Sequence, residues 1–233
     1  MSLYFTTLLG APITTSKFDV VGELDDLLAD ARQWPVPRVL RVEARFHDRD
    51  RGWLHAESVR RFDPVGVVIQ AGASWNPPDR THLLRLRGQL LDHQIIDLVA
   101  GSVVRVNDIV LEARPEGYVV TGIDVGLAGL ARELAPRPNR SLFARVQPRS
   151  PWTRELGWVD IEPVESSISH FQLFDAQAGL GRLTPAAIAR VLRALRPSDR
   201  MAILGALSGE SVAAVLEAAD ANLRRLLMAQ LNH

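Results

Sequence analysis

A stretch of this chain recurs after 82 residues, and this internal duplication restricts the possible folds more than any other feature. Residues 8–28 return as residues 90–110, and a repeated segment is normally built twice from the same secondary structure. The identical pairs are Leu8/Leu90, Leu9/Leu91, Ile13/Ile95, Val21/Val103 and Asp26/Asp108. The sequence therefore predicts two related modules in tandem.

Both copies carry the alternating apolar and polar pattern of half-buried β-strands. A further alternating segment follows each copy, at residues 39–44 and 119–125. Consecutive prolines at Pro77 and Pro78 forbid helix and indicate a linker between the copies. We therefore expect two small antiparallel β-barrels, one over residues 1–76 and the other over residues 80–165.

The last third of the chain has a different period, of twelve residues. The same position of each repeat is apolar, from Leu183 to Leu231, and helix-initiating residues such as Thr184 and Pro185 begin each repeat. The pattern predicts an array of short helices over residues 166–233 that stabilise one another by stacking. Since Leu231 falls on a repeat boundary, we expect the native chain to continue past His233.

Composition and motifs favour a non-enzymatic, cytoplasmic protein. The 27 basic residues balance the 27 acidic ones, which makes nucleic acid an improbable partner, and the absence of cysteine fits a reducing compartment. We find no signal peptide and no apolar run of the roughly 20 residues that a membrane span needs. The sequence also lacks a Gly-x-Ser-x-Gly elbow, a Walker loop and a dinucleotide fingerprint.

The duplicated β segments resemble PRC-barrel domains, the small barrels of the photosynthetic reaction centre H subunit and of a ribosome maturation factor. The resemblance is carried by residues 90–95, the strand at residues 103–108 and the ending Trp158-Val159-Asp160-Ile161. The first copy departs further from the PRC-barrel pattern than the second copy does. The resemblance implies an α+β multidomain protein with two PRC-like β-barrels followed by an α-helical superhelix of short helices.

The helical tail from Leu183 to Leu195 and its successors is similar to the N-terminal domain of the MgtE magnesium transporters. In that family the superhelical domain is cytosolic, precedes paired CBS domains and senses magnesium together with them. The resemblance therefore implies a regulatory module that acts with downstream CBS-type domains absent from this chain.

The same resemblance implies that carboxylates of the helical tail could hold Mg²⁺, although no cofactor is required. Magnesium prefers oxygen ligands and retains water, so spaced carboxylates can bind it at an interface. The candidates are Asp199, Glu210, Glu217 and Asp220. A structural interpretation competes with this one, because acidic residues in a first helical turn are favoured by the helix dipole anyway.

Three tryptophans beside prolines are candidates for a protein-binding surface, since interfaces favour tryptophan. They are Trp34, Trp75 and Trp152. Trp53 and Trp158, which lie in the predicted strands, are expected to plug the two barrels.

These observations leave three functions open. The first is the magnesium-responsive regulatory module. The second is a scaffold that binds a protein partner through its barrels, with a homodimer among the possible assemblies. The third, an RNA- or ribosome-associated factor by analogy with other PRC proteins, is disfavoured by the neutral net charge.

Overall fold

The computed structural model describes residues 2–17, 19–30, 33, 35–46, 50–63, 65–77, 83–127, 152–163 and 179–231. Two compact units emerge. The first unit contains Met1–Asp92 and Val106–Val159, and the second contains His93–Arg105 and Asp160–His233. Residues of the second predicted barrel therefore occur in both units, and the domain bounds drawn from the sequence stay a prediction.

The described part of the chain has mixed α+β content. Its strands are β1 (Ser2–Tyr4), β2 (Pro12–Thr15), β3 (Val20–Asp30), β4 (Arg38–Arg45), β5 (Arg51–His55), β6 (Val59–Asp63), β7 (Gly66–Ile69), β8 (Leu83–Arg85), β9 (Gln94–Asp97), β10 (Ser102–Arg105), β11 (Asp108–Arg114), β12 (Gly117–Asp124), β13 (Glu155–Gly157) and β14 (Ile161–Pro163). Its α-helices of four or more residues are α1 (Phe5–Leu8), α2 (Pro185–Ala194), α3 (Pro197–Ala206), α4 (Gly209–Ala218) and α5 (Ala221–Leu231).

The first unit is built on one nearly closed, barrel-like sheet. Its main path runs β1-β11-β12-β4-β3-β2-β7-β6, and β13, β5 and β8 pair with β12, β4 and β3 off this path. Strands from both sequence copies share the sheet, because β1 pairs with β11 and β8 pairs with β3. The predicted β-rich character is confirmed, and the division into two separate barrels stays a prediction.

The alternation in the sequence explains which side of this sheet is packed. On β5, Gly52 and Leu54 are buried on one face, while Arg51, Trp53 and His55 occupy the other. The fully buried side chains of neighbouring strands, including Val42, Leu27 and Leu84, line the core. The opposite face carries charged residues, and the candidate site described below lies there.

The 82-residue repeat reappears in the backbone. Gly10 and Asp92 both have a positive φ, of 75° and 69°, and their N–H groups donate to Leu24 O and Val106 O at 2.8 and 2.9 Å. The hairpin registers also match, since Ile13 faces Gly22 as residue 95 faces residue 104. Asparagine and aspartate tolerate this left-handed conformation better than other side chains, so Asp92 can replace a glycine.

The second unit contains the antiparallel sheet β10-β9-β14 and the helices α2–α5, which we call the helical array. Its core joins apolar residues of β9 to those of the helices. The predicted short helices are confirmed, and they begin at residues 185, 197, 209 and 221, twelve residues apart. None of the helices described is long and apolar enough to cross a bilayer.

Caps at both helix ends keep these short helices in place. The side chains of Thr184 and Ser208 accept the N–H groups of Ala187 and Ser211. At the carboxyl ends, an arginine side chain donates hydrogen bonds to the carbonyl groups of the helix end. Arg200 on α3 donates to Leu192 O and Leu195 O, both at 2.8 Å, and 24 residues later Arg224 on α5 donates to Leu216 O and Ala219 O at 2.7 and 3.0 Å.

Candidate functional site

Three carboxylates are buried on the charged side of the first unit's sheet. Asp25 and Asp26 lie on β3, and Glu43 lies on β4 directly opposite Asp26. The exposed fractions of Asp25, Asp26 and Glu43 are 3%, 1% and 1%. Burying charges this deeply is costly unless each is paired and hydrogen-bonded, so their partners decide whether the arrangement is stable.

Asp25 is surrounded by three arginines. Arg87 Nη1 lies 2.5 Å from Oδ1, Arg51 Nη2 lies 3.4 Å from Oδ2, and Arg45 Nη1 lies 3.9 Å from Oδ1. The arginine side chains are 50%, 50% and 37% exposed. The carboxylate is therefore the buried centre of a partly solvated guanidinium layer.

Glu43 and Asp26 complete the network. Glu43 accepts hydrogen bonds from Arg51 at 2.9 Å and from Arg85 at 2.8 Å. Asp26 accepts the backbone N–H groups of Leu27 and Arg87, both at 2.7 Å. Because residues 85–88 lie at the end of β8 and just after it, whereas the carboxylates lie on β3 and β4, these contacts tie the start of the second copy to the first.

Burial dominates the titration of Asp26. Desolvation raises the pKa of its carboxyl to about 6, although the N–H groups of Arg87 and Leu27 and the charge of Arg85 lower it. The neighbouring charge of Glu43 adds to the increase in pKa. Protonation of Asp26 is therefore easier in the folded protein than in the unfolded chain.

The equivalent residue of the second copy, Asp108, also caps a turn. Its carboxylate accepts the N–H of Thr6 at 3.0 Å, the hydroxyl of Thr6 at 2.6 Å and the N–H of Ile109 at 2.8 Å. Thr6 belongs to the first copy, as Arg87 on the Asp26 side belongs to the second. The repeated aspartates therefore cap turns, but each caps the turn of the other copy rather than its own.

A second feature is an open groove in the helical array, with a volume of about 390 Å³. It runs between residues 180–183, α2, the link from α3 to α4, and the first half of α4. Its lining is mostly apolar, namely Leu180, Gly181, Leu183, Pro185, Ile188, Ala206, Leu207 and Ala214, with Ser208, Glu210 and Ser211 at one end. Glu210 is the one charged residue among these lining residues.

A buried acid in the second unit was not anticipated from the sequence. Glu162 on β14 faces Ile96 on β9, and burial raises the pKa of its carboxyl to about 7. Its Oε2 lies 2.6 Å from the point that a Cβ on Gly179 would occupy, so only glycine fits there without displacement. Period-two alternation placed Glu162 in a strand ending but gave no sign of which side would be covered.

The four predicted magnesium ligands lie on two helices, α3 and α4, and in the turn before α5. Asp199 is buried in the first turn of α3, and Asp220 accepts the N–H groups of Asn222 and Leu223 and pairs with Arg193. Glu210 and Glu217 are exposed on α4. Across the described ranges no three acidic or histidine side chains are grouped closely enough to hold a metal ion. Magnesium binding stays a prediction.

The tryptophan candidates have different surroundings. Trp34 lies outside the described residues. Trp75 is half-buried and packs edge-on against Phe46, with ring centroids 5.0 Å apart, whereas Trp152 is exposed. Trp158 is buried, as expected of a core residue, and Trp53 is half-buried. A protein-binding role for the three candidates stays a prediction.

The arginine–carboxylate network was missed because its members belong to ordinary alternating strands. Arg41, Glu43 and Arg45 follow the period of a solvated face, and this pattern does not distinguish a covered glutamate from an exposed one. The available signal was Asp25-Asp26 within an otherwise apolar run. When the chain is compared with known proteins, no family model matches it and no curated protein is found to be similar.

Proposed function

We propose that this chain is a non-enzymatic regulatory module whose helical array binds a segment of a protein partner. The observation that carries the proposal is the open groove along α2 and α4. A cleft of about 390 Å³ with a mostly apolar lining is large enough to accept several side chains of a peptide.

The chemistry of the groove indicates what kind of segment fits. Pro185, Ala206 and Leu207 offer accessible apolar contact, which favours an amphipathic helix that inserts one apolar face. Glu210 contributes a negative charge at one end, so a lysine or arginine next to the apolar face would be complementary to it. A segment with both features is the partner that we propose.

The regulatory role also draws support from the sequence resemblances. Two PRC-like copies followed by a superhelical, MgtE-like N domain would place this module in the cytoplasm beside CBS-type domains. The partner segment would then belong either to those domains or to a separate protein, and magnesium would act on the assembled module. A scaffold without magnesium sensitivity would use the same groove.

The proposal can be tested by selecting binders to the full chain from a library of random twelve-residue peptides. Ala214 lines the groove and Ala213, beside it on α4, is exposed. Ala214→Trp should fill the groove and abolish binding, whereas the matched control Ala213→Trp should leave it unchanged. We expect selected peptides to combine apolar residues at helical spacing with a basic residue.

Two results would overturn the proposal. One is that selection yields no peptide whose binding depends on Ala214. The other is that Ala213→Trp weakens binding as much as Ala214→Trp does. Far-ultraviolet circular dichroism of both variants would verify that the helices remain folded.

A further inference from the structure

The second unit has a carboxyl group on the face of its sheet that packs against the helical array. Glu162 on β14 is opposite Ile96 on β9, and Ile96 is opposite Val103 on β10, so the three side chains form one cross-strand row. Ile96 belongs to the core shared with the helices, and Val103 packs against that core. Glu162 is only 7% exposed. An acid therefore occupies a position that the rest of the row gives to apolar side chains.

This carboxyl group is buried without a partner. Within the described ranges, Glu162 makes no side-chain hydrogen bond and no ion pair. The charged groups of the surrounding elements lie elsewhere: Asp97 is on the opposite face of β9, Arg105 at the end of β10 is exposed, and Asp160 pairs with Arg182 at 3.0 Å. Burial is therefore the cause that raises the pKa of Glu162.

The carboxyl group lies against residues 179–183, which lead into α2 and which we call the entry turn. Its Oε2 is 2.6 Å from the point that a Cβ on Gly179 would occupy, and Leu98 Cδ1 is 3.7 Å from the same point. Three residues of the entry turn, Leu180, Gly181 and Leu183, line the groove. One short segment therefore forms both the cover of Glu162 and part of the groove wall.

The entry turn is held by local hydrogen bonds and by two apolar side chains. Arg182 donates its backbone N–H to Gly179 O at 3.1 Å, and Leu183 donates to Leu180 O at 3.0 Å. The ion pair of Arg182 with Asp160 is partly exposed, and such pairs contribute little stability. Leu180 and Leu183 are buried and anchor the turn in the core. The turn can therefore shift more readily than the paired strands against which it lies.

Ionisation of Glu162 and packing of the entry turn oppose each other. A carboxylate without a partner needs water, whereas the neutral acid tolerates burial. A peptide seated in the groove contacts the entry turn and excludes water from it, so a bound peptide favours the neutral acid. We propose that Glu162 regulates the groove, so that peptide binding takes up a proton from solvent and is weakened at alkaline pH, a regulation that rests on the peptide binding proposed above.

The first test needs no peptide. The chain has no cysteine, so Ala206→Cys places a single thiol in the groove lining for a solvatochromic dye that does not itself titrate. The emission maximum should change with a midpoint at about pH 7, because the groove wall responds to the ionisation of Glu162. Glu162→Gln in the labelled chain should remove this transition. Glu217→Gln is the matched control, since Glu217 is an exposed acid of the helical array that does not line the groove.

The second test measures the affinity of a peptide selected for the groove. The peptide carries an acetylated amino terminus and neither histidine nor cysteine, so it does not titrate between about pH 6 and about pH 8. If only the neutral acid accepts the peptide, the competent fraction falls from about nine tenths to about one tenth over this range, and the dissociation constant should rise about tenfold. Calorimetric titration should show this rise in wild type and in Glu217→Gln, and a constant value in Glu162→Gln.

Two results would overturn the inference. One is a dye transition that persists in Glu162→Gln or that Glu217→Gln also removes. The other is a peptide affinity that is the same at both pH values in wild type, in which case peptide binding stands and its regulation fails. A transition that depends on Glu162 in a chain that binds no peptide would have the opposite meaning, since the acid would control the groove and the peptide-binding proposal would fail.

A second variant decides the question if Glu162→Gln does not fold, which circular dichroism of the helices would show. Glu162→Leu continues the apolar row of the sheet and cannot titrate, so it should also remove the dye transition and the pH dependence of peptide affinity. Either effect persisting in Glu162→Leu would contradict control by this carboxyl group.

Discussion

Asp26→Asn should remove a pH-dependent cost that the buried network imposes on the first unit. The pKa of Asp26 is about 6 in the folded protein, against 3.8 for an unperturbed aspartate. A folded-state pKa above the unfolded value means that the contribution of this carboxyl is fully present below about pH 4 and is lost as the pH rises through about 6. The wild-type protein therefore pays to keep Asp26 ionised at neutral pH.

The magnitude follows from the two pKa values. Between about pH 4.5 and about pH 7.5 the ionisation of Asp26 should lower the free energy of unfolding by about 2 kcal/mol. Asparagine resembles the neutral acid and does not titrate. Whatever Asp26→Asn costs at the lower pH, its free energy of unfolding relative to wild type should therefore improve by about 2 kcal/mol at the higher pH.

The protein offers a clean assay for this difference. All five tryptophans and both tyrosines lie in the ranges of the first unit, so tryptophan fluorescence during urea unfolding reports on that unit alone. Free energies of unfolding of wild type and Asp26→Asn would be compared at both pH values. A difference between them that does not change with pH would refute the reasoning, as would a change of opposite sign.

Three further predictions concern the second unit, whose helices can be followed by far-ultraviolet circular dichroism. Burial raises the pKa of Glu162 to about 7, from 4.5 for an unperturbed glutamate, so this unit should become less stable as the pH rises from about 4.5 to 7. Glu162→Gln should abolish that loss of stability, and an identical pH profile in the variant would contradict this. Arg200→Ala should lower the free energy of unfolding by about 2 to 3 kcal/mol, because it leaves buried carbonyl groups without donors. Arg224→Ala, at the equivalent but exposed position, should lower it by less than about 1 kcal/mol. Equal losses in the two variants would contradict an effect of burial. The magnesium hypothesis predicts that the unfolding midpoint rises saturably with magnesium concentration, by the equivalent of about 2.7 kcal/mol when that concentration is 100 times the dissociation constant. Calcium and matched ionic strength serve as controls. A midpoint that does not change with magnesium would count against a site within this chain.

The helical array was predictable because its information is local. Each twelve-residue repeat carries its own apolar slots and its own initiating residues, such as Thr184 and Ser208, and the helices begin where these residues predict. Such signals depend on the neighbouring turn of chain and need no knowledge of distant partners.

The sheet was predictable in kind but not in pairing. The duplication gives two equivalent sets of strands, and it does not determine whether the strand that begins a copy pairs within that copy or with the other one. With either pairing, the carboxylates of Asp26 and Asp108 would accept hydrogen bonds from the N–H groups of a turn. The burial of Glu43 and Glu162 was equally inaccessible, because alternation assigns a face and says nothing of what covers it.

The exchange of turns between the copies also has a consequence for synthesis. The hydrogen bonds of Thr6 to Asp108 join residues 102 positions apart. At translation rates of about 5 to 20 residues per second, the first turn waits on the order of 5 to 20 seconds on the ribosome before its capping carboxylate is made. During that interval β1 has no partner strand, since β11 is not yet synthesised, and a chain that ends prematurely within the second copy leaves the first copy incomplete as well.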